Sequence, residues 1–262
     1  MADWIGRLRV DLFLLPKKYY YSRTKDTVHC RGLQMYDGGK GMNKNLTEIV
    51  YILDRSGSMG GLEEDTIGGF NSMMEKQKKT GEEAVVSTVL FDNVSEVLHD
   101  RVPLDKVGKM TDEQYYVRGC TALLDAVGGA IHHISNVHKY ARKEDRPAKT
   151  IFVITTDGME NASRNYTYEK IRKMVKKQQS KHGWEFIFIG ANIDAYAEAQ
   201  RIGVRKDRAV NYVHDEVGTT KLYAGVSKAV CGFMSISDGI DCDLNTTGWA
   251  DEINEDYERR GK

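Results

Sequence analysis

From residue 42 onward the chain alternates between two kinds of apolar pattern. Unbroken runs rich in β-branched and aromatic residues occur at 48–54 (EIVYILD), 84–92 (AVVSTVLFD), 149–157 (KTIFVITTD) and 184–191 (WEFIFIGA), with a weaker one at 208–213 (RAVNYV). Such runs predict strands buried on both faces. Between them, Ile67, Phe70 and Met74 recur at helical spacing, as do Tyr168, Ile171 and Val175. A longer stripe joins Leu123, Val127, Ala130, Ile134, Val137 and Ala141, and all three patterns predict amphipathic helices. Gly68 and Gly69 fall inside the first helix; each costs about 1 kcal/mol against alanine, which predicts close packing of that helix on the sheet. SEVLHD (95–100) follows the second run after only two residues. That gap is too short for a helical crossover, so this strand should pair antiparallel at an edge. The expected fold is α/β: a doubly wound, mostly parallel central sheet with one antiparallel edge strand and helices on both faces.

The first 41 residues follow no such pattern. Residues 1–47 contain no glutamate, and they carry the run Tyr19-Tyr20-Tyr21 without helical or strand period. GGKGM (38–42) is encodable by a purine-rich stretch resembling a ribosome-binding site just before a methionine codon. Met42 is therefore the expected natural start, with residues 1–41 an upstream read-through; the alternative is an extension that packs on the domain. The domain itself is expected over 42–235. Residues 236–262 are acidic, lack the spacing of an EF-hand loop, and are expected as a mobile tail.

Charge and cysteine content narrow the function classes. Basic and acidic residues both total 38, so the net charge is zero, which argues against a nucleic-acid binder. Four cysteines, at 30, 120, 231 and 242, form no CxxC pair and suit reduced thiols. VDLFLLP (10–16) is too short to span a membrane and is interrupted by Asp11 and Pro16. A cytoplasmic protein is expected.

The candidate chemistry sits where strands end. In doubly wound sheets, ligands bind outside the carboxyl ends of the strands, where the strand order reverses. There the first run continues as Asp54-Arg55-Ser56-Gly57-Ser58, the KTIFVITT run ends in Asp157-Gly158, and VRGCTALLDAV offers Thr121 before the long helix. In extended chain, positions i, i+2 and i+4 point the same way, so Asp54, Ser56 and Ser58 should converge, with Gly57 letting the loop curl. Two carboxylates with several neutral hydroxyls form an all-oxygen set suited to Mg²⁺ or Mn²⁺. Ser58 as a helix N-cap would not account for Asp157 and Thr121. A serine nucleophile lacks the GxSxG turn, and no GxxxxGK[ST] phosphate loop occurs.

These three loops, in this order, resemble the von Willebrand factor type A (VWA) domain and its metal-ion-dependent adhesion site, over about residues 45–230. The resemblance implies a Rossmann-like fold in which Ser56 and Ser58 bind the metal directly and Thr121 joins when ligand is bound. Asp54 and Asp157 would bind directly or through water. It further implies an open coordination position for a Glu or Asp of a partner protein. Cys120 is an unexpected neighbour of Thr121 and reads as a small buried packing residue.

His132, His133 and His138 lie at helical offsets that do not share one face, so they read as surface histidines rather than a zinc site. KKQQSKH (176–182) reads as a solvated helix end. A protein-binding module is expected rather than an enzyme; the alternative is a metal-dependent hydrolase, with Glu160 or Asn161 as its only nearby candidates for a base.

Overall fold

Residues 43–236 and 244–261 are described by the computed structural model. The expected N-terminal extension, residues 1–41, lies outside them, as do Cys30, Cys242 and residues 237–243 of the expected tail. The chain runs β1 (Asn43–Asp54), α1 (Glu63–Lys78), β2 (Ala84–Phe91), β3 (Ser95–Pro103) and α2 (Leu123–Tyr140). It continues through β4 (Pro147–Thr156), α3 (Tyr168–His182), β5 (Glu185–Gly190), α4 (Ala195–Ile202), β6 (Ala209–Asn211), α5 (Glu216–Met234) and α6 (Asp251–Arg260).

Alternation along β1 builds two cores at once. Ile49, Tyr51 and Leu53 meet Phe70 of α1 and Val226 of α5 on one face. Val50 and Ile52 meet Val127 of α2 and Ile171 of α3 on the other. Each such buried side chain contributes roughly 1.5–3 kcal/mol, so a central strand apolar on both faces holds both helical layers. The sheet order is β3-β2-β1-β4-β5-β6. All pairings are parallel except β2 with β3. The fold is therefore the expected doubly wound one, with the antiparallel strand at the edge. Helix limits follow local chemistry: Thr167 accepts the Lys170 N–H at the start of α3, and Gly183 ends that helix at φ 62°.

Two expectations change. Gly69 packs against a helix rather than the sheet: a Cβ there would lie 2.2 Å from the Tyr223 ring of α5, whereas Gly68 faces open space. Residues 244–261 are a packed segment rather than a mobile tail. Leu244, Trp249 and Ile253 are buried in the same core as β1 and α5. The inward face of α6 also carries Asp256 and Arg260, paired with each other, and those charges hide its helical pattern in the sequence. Among the described residues, no helix is long and apolar enough to cross a membrane.

Candidate metal centre

Asp54 ends β1 and Asp157 follows the last residue of β4, its parallel neighbour, so both carboxylates stand at one end of the sheet. This is also the point where strand order reverses, because β1 is followed in sequence by β2 on one side and flanked by β4 on the other. Beyond Asp54 the chain enters a tight turn, Gly57–Met59, which carries Ser58 round to Asp157. The expected extended alternation therefore stops at Ser56, and Arg55 is as buried as its neighbours. Gly57 serves close approach, not an unusual backbone angle: its N–H donates to the Gly119 carbonyl at 3.1 Å, and a Cβ would sit 3.3 Å from that oxygen. Ser58 caps nothing, since α1 begins only at Glu63.

The side-chain oxygens form a connected set. Thr121 Oγ1 donates to Ser56 Oγ (3.1 Å), which lies 3.1 Å from Ser58 Oγ, and Ser58 Oγ donates to Asp157 Oδ1 (2.5 Å). Asp54 is oriented by the Ser56 N–H on Oδ1 (2.7 Å) and by Thr156 Oγ1 on Oδ2 (2.6 Å). The structure thus brings Asp54, Ser56, Ser58, Thr121 and Asp157 together. Gly158 keeps the centre open, because a Cβ there would lie 2.9 Å from Thr121 Oγ1 and 3.2 Å from Ser58 Oγ.

Backbone bonds lock the loops together. Arg118 N–H donates to the Arg55 carbonyl (2.9 Å), Ala122 N–H to that of Asp92 (2.9 Å), and Asn161 N–H to that of Thr121 (3.0 Å). Beneath them lies a buried cation. Arg55 donates to Asp92 (3.0 Å) and Glu96 (2.6 Å), and Arg118 donates to the same Asp92 oxygen (2.7 Å). Burial alone would raise the Asp92 carboxyl, but hydrogen bonds from Arg118, the Val94 N–H and Arg55 outweigh it and hold the group low.

Among the described residues, no lysine or arginine reaches the centre itself. Burial pushes the Asp54 carboxyl up; hydrogen bonds from Ser56 and Thr156 oppose the shift, and the nearby Asp157 charge adds to it. Burial raises Asp157 as well, with Ser58 and His214 acting against it. Asp157 Oδ2 is buried without a hydrogen-bond partner, and His214 Nδ1, also unpartnered, stands 3.5 Å away. A dication fits this set: hard oxygen donors, two carboxylates to balance its charge, and one carboxylate oxygen left bare. Among the described residues, no group of three or more His, Cys, Asp and Glu is placed to hold a metal; this centre relies on hydroxyls instead.

Glu160 is fully engaged. Its two oxygens accept from Leu124 N–H, Ala162 N–H, Ser163 N–H and Ser163 Oγ, which ties the loop to the first turn of α2. Asn161 Oδ1 accepts the Thr121 N–H (2.9 Å). Cys120, expected to be buried, is an exposed free thiol, since Thr121 takes the inward position. Sequence reasoning missed Thr156, Arg55, Asp92 and His214. The adjacent hydroxyls of Thr155-Thr156-Asp157 hinted at the first; nothing local marks the others, whose partners lie far along the chain.

No protein-family model and no curated protein sequence matches this chain. Solved structures share its fold. A von Willebrand factor type A protein from Catenulispora acidiphila aligns at 14% identity and TM-score 0.51, over 73% of this chain and 43% of that one. The vWF domain of the type V pili tip protein Mfa5 from Porphyromonas gingivalis aligns at 10% identity and TM-score 0.51, over 76% and 99%. The PilB minor pilin from Streptococcus sanguinis aligns at 14% identity and TM-score 0.51, over 72% and 62%. This chain therefore spans less than two thirds of the pilin and less than half of the Catenulispora protein. At these identities the likeness is one of fold: the chain is folded as a VWA-type domain.

Proposed function

We propose that the protein is a metal-dependent protein-binding module. It grips a Glu or Asp of a partner through Mg²⁺ or Mn²⁺ held by Asp54, Ser56, Ser58, Thr121 and Asp157. The observation that carries this reading is the connected hydroxyl–carboxylate set with a bare, buried Asp157 oxygen. A bound dication supplies a positive centre with room for an external oxygen. The chain's own part is to aim the donors: Thr156 and the Ser56 N–H fix Asp54, and the Arg55–Asp92–Arg118 frame holds the loop that bears Thr121. Tyr116 and Met159 stand exposed on the loops that bear Thr121 and Asp157, and Val94 on the β2–β3 turn, the apolar surroundings a protein partner covers. A cytoplasmic setting fits the exposed thiol of Cys120.

The hydrolase reading, with Glu160 or Asn161 as its base, is the weaker one. Both Glu160 oxygens and Asn161 Oδ1 already accept hydrogen bonds. The test is capture of partners from the native cell, followed by affinity measurement on the purified pair. Binding should require Mg²⁺, fail in EDTA, and weaken roughly tenfold or more, about 1.4 kcal/mol, on Thr121→Ala. One partner Glu→Gln or Asp→Asn change should act comparably. A partner bound equally well in EDTA and by Thr121→Ala would place the interaction surface elsewhere.

A further inference from the structure

At the opposite end of the sheet, the last turns of α2 and α3 and the starts of β4 and β5 enclose an open cleft of about 980 Å³. Its floor is apolar, made of Ile131, Met174 and Trp184. Trp184 is buried and stacked on Phe152, with ring centroids 5.3 Å apart, so the floor is rigid. The rim carries Lys139 and Arg146 on one side and Lys177 and Lys181 on the other, and among the described residues no Asp or Glu lines the cleft. In a chain with equal numbers of acidic and basic residues, this is a local segregation of charge.

Basic residues in the last turn of a helix complement its dipole, and Arg146 does so: it donates to the Ala141 (3.1 Å) and Lys139 (3.3 Å) carbonyls that end α2. That accounts for Arg146 and, in the last turn of α3, for Lys181, but not for Lys177. Glu169, Lys173, Lys177 and Lys181 follow one another at four-residue steps on one helix stripe. Lys173 pairs with Glu169 at 2.5 Å. Lys177 and Lys181 continue the stripe over the cleft, exposed, and among the described residues their ammonium groups have no partner. Glu48 is wholly buried behind His138, which lines the cleft; its Oε2 accepts from Arg101 (2.8 Å) and lies 3.2 Å from His138 Nε2.

We infer that this cleft binds a small phosphorylated molecule with an apolar or planar body. The phosphoryl oxygens lie against Lys177 and Lys181, with Lys139 and Arg146 facing them, and the body rests on Ile131, Met174 and Trp184. Lysine ammonium groups bind phosphate as point charges, and several converging on an apolar floor favour an anion that also has something to bury. The volume is that of small-molecule sites. Thr150, the lining residue furthest along β4, precedes Asp157 by seven positions, about 23 Å of strand, so the two sites are distinct.

The test is calorimetric and NMR titration of the full chain in EDTA, which removes the metal centre as a receptor, with ADP and inorganic pyrophosphate as probes. ADP should saturate in the submillimolar range and bind more tightly than pyrophosphate, which has no body to place on the floor. Lys177→Glu with Lys181→Glu should weaken ADP by about tenfold or more, with the melting temperature unchanged. Lys176→Glu, on the same helix but off the cleft, should leave binding as it is. Absence of saturation by either probe into the millimolar range overturns the inference. So does equal affinity for the two probes, or ADP binding unaltered in the double variant.

Discussion

Asp54 and Asp157 at the strand tips, and Asp215 and Asp256 where α5 meets α6, are carboxylates in opposite electrostatic company. Arg260 donates to Asp215 (2.6 Å) and to Asp256, and Lys221 adds a second cation on Asp256 (2.5 Å). Those cations hold both groups below the usual carboxylate range. At the strand tips, among the described residues, no lysine or arginine reaches either group, and burial drives both upward. The helical cluster has its carboxylates compensated within the chain and joins two elements. The other remains electrically incomplete, and incompleteness of that kind points to a ligand from outside.

The comparison first depends on residues 244–261 being part of the folded body. Trp249→Ala removes a large buried ring from the core and should cost roughly 3–5 kcal/mol in denaturant unfolding. A loss below about 1 kcal/mol would remove the helical cluster from the comparison. The next largest effect concerns the incomplete cluster. Mg²⁺ at about 100 times its Kd should stabilise the wild type by about 2.7 kcal/mol, a rise of roughly 5–10 °C in Tm. Asp157→Asn should abolish that rise yet melt no lower than wild type in EDTA, because it discharges a buried group that, among the described residues, no lysine or arginine reaches. A marked destabilisation of this variant in EDTA would mean that the charge is compensated in a way the structure does not show.

Arg260→Ala sharpens the same contrast from the other side. It should lower Tm, by less than Trp249→Ala and equally with or without Mg²⁺, since it strips a cation from Asp215 and Asp256. The smallest effect is the dependence on pH. Asp215 and Asp256 have depressed values in the fold, so their stabilisation is present above about pH 4, the unfolded carboxylate value, and is lost as pH falls further. Asp54 and Asp157 have raised values, so in EDTA they weaken the fold above that pH, and this cost is relieved on acidification. Melting curves from roughly pH 3.5 to 7.5 should show Arg260→Ala flattening the acid-side loss. Asp157→Asn should remove part of the opposing trend, and the Mg²⁺-dependent rise should shrink toward acid as protons compete for the same oxygens.

The sheet and the strand ends at which polar side chains gather are written in local stretches of the chain. Apolar runs buried on both faces, and the two-residue gap before SEVLHD, specify a parallel sheet with one antiparallel edge, because burial and connection length are local properties. That Asp54, Ser56, Ser58, Thr121 and Asp157 would come together was also legible, since each lies within four residues of a strand end or a helix start. What only the tertiary structure decided were the partnerships. Arg55 turning away to Asp92, Thr156 orienting Asp54, Gly69 making room for Tyr223, and Trp249 entering the core all join residues tens of positions or more apart. The acidic C-terminal segment looked unstructured because its inward face carries Asp256 and Arg260 as well as apolar residues. A charge reads as solvent-facing until the fold supplies its counterion, and that counterion's place is set by packing rather than by spacing.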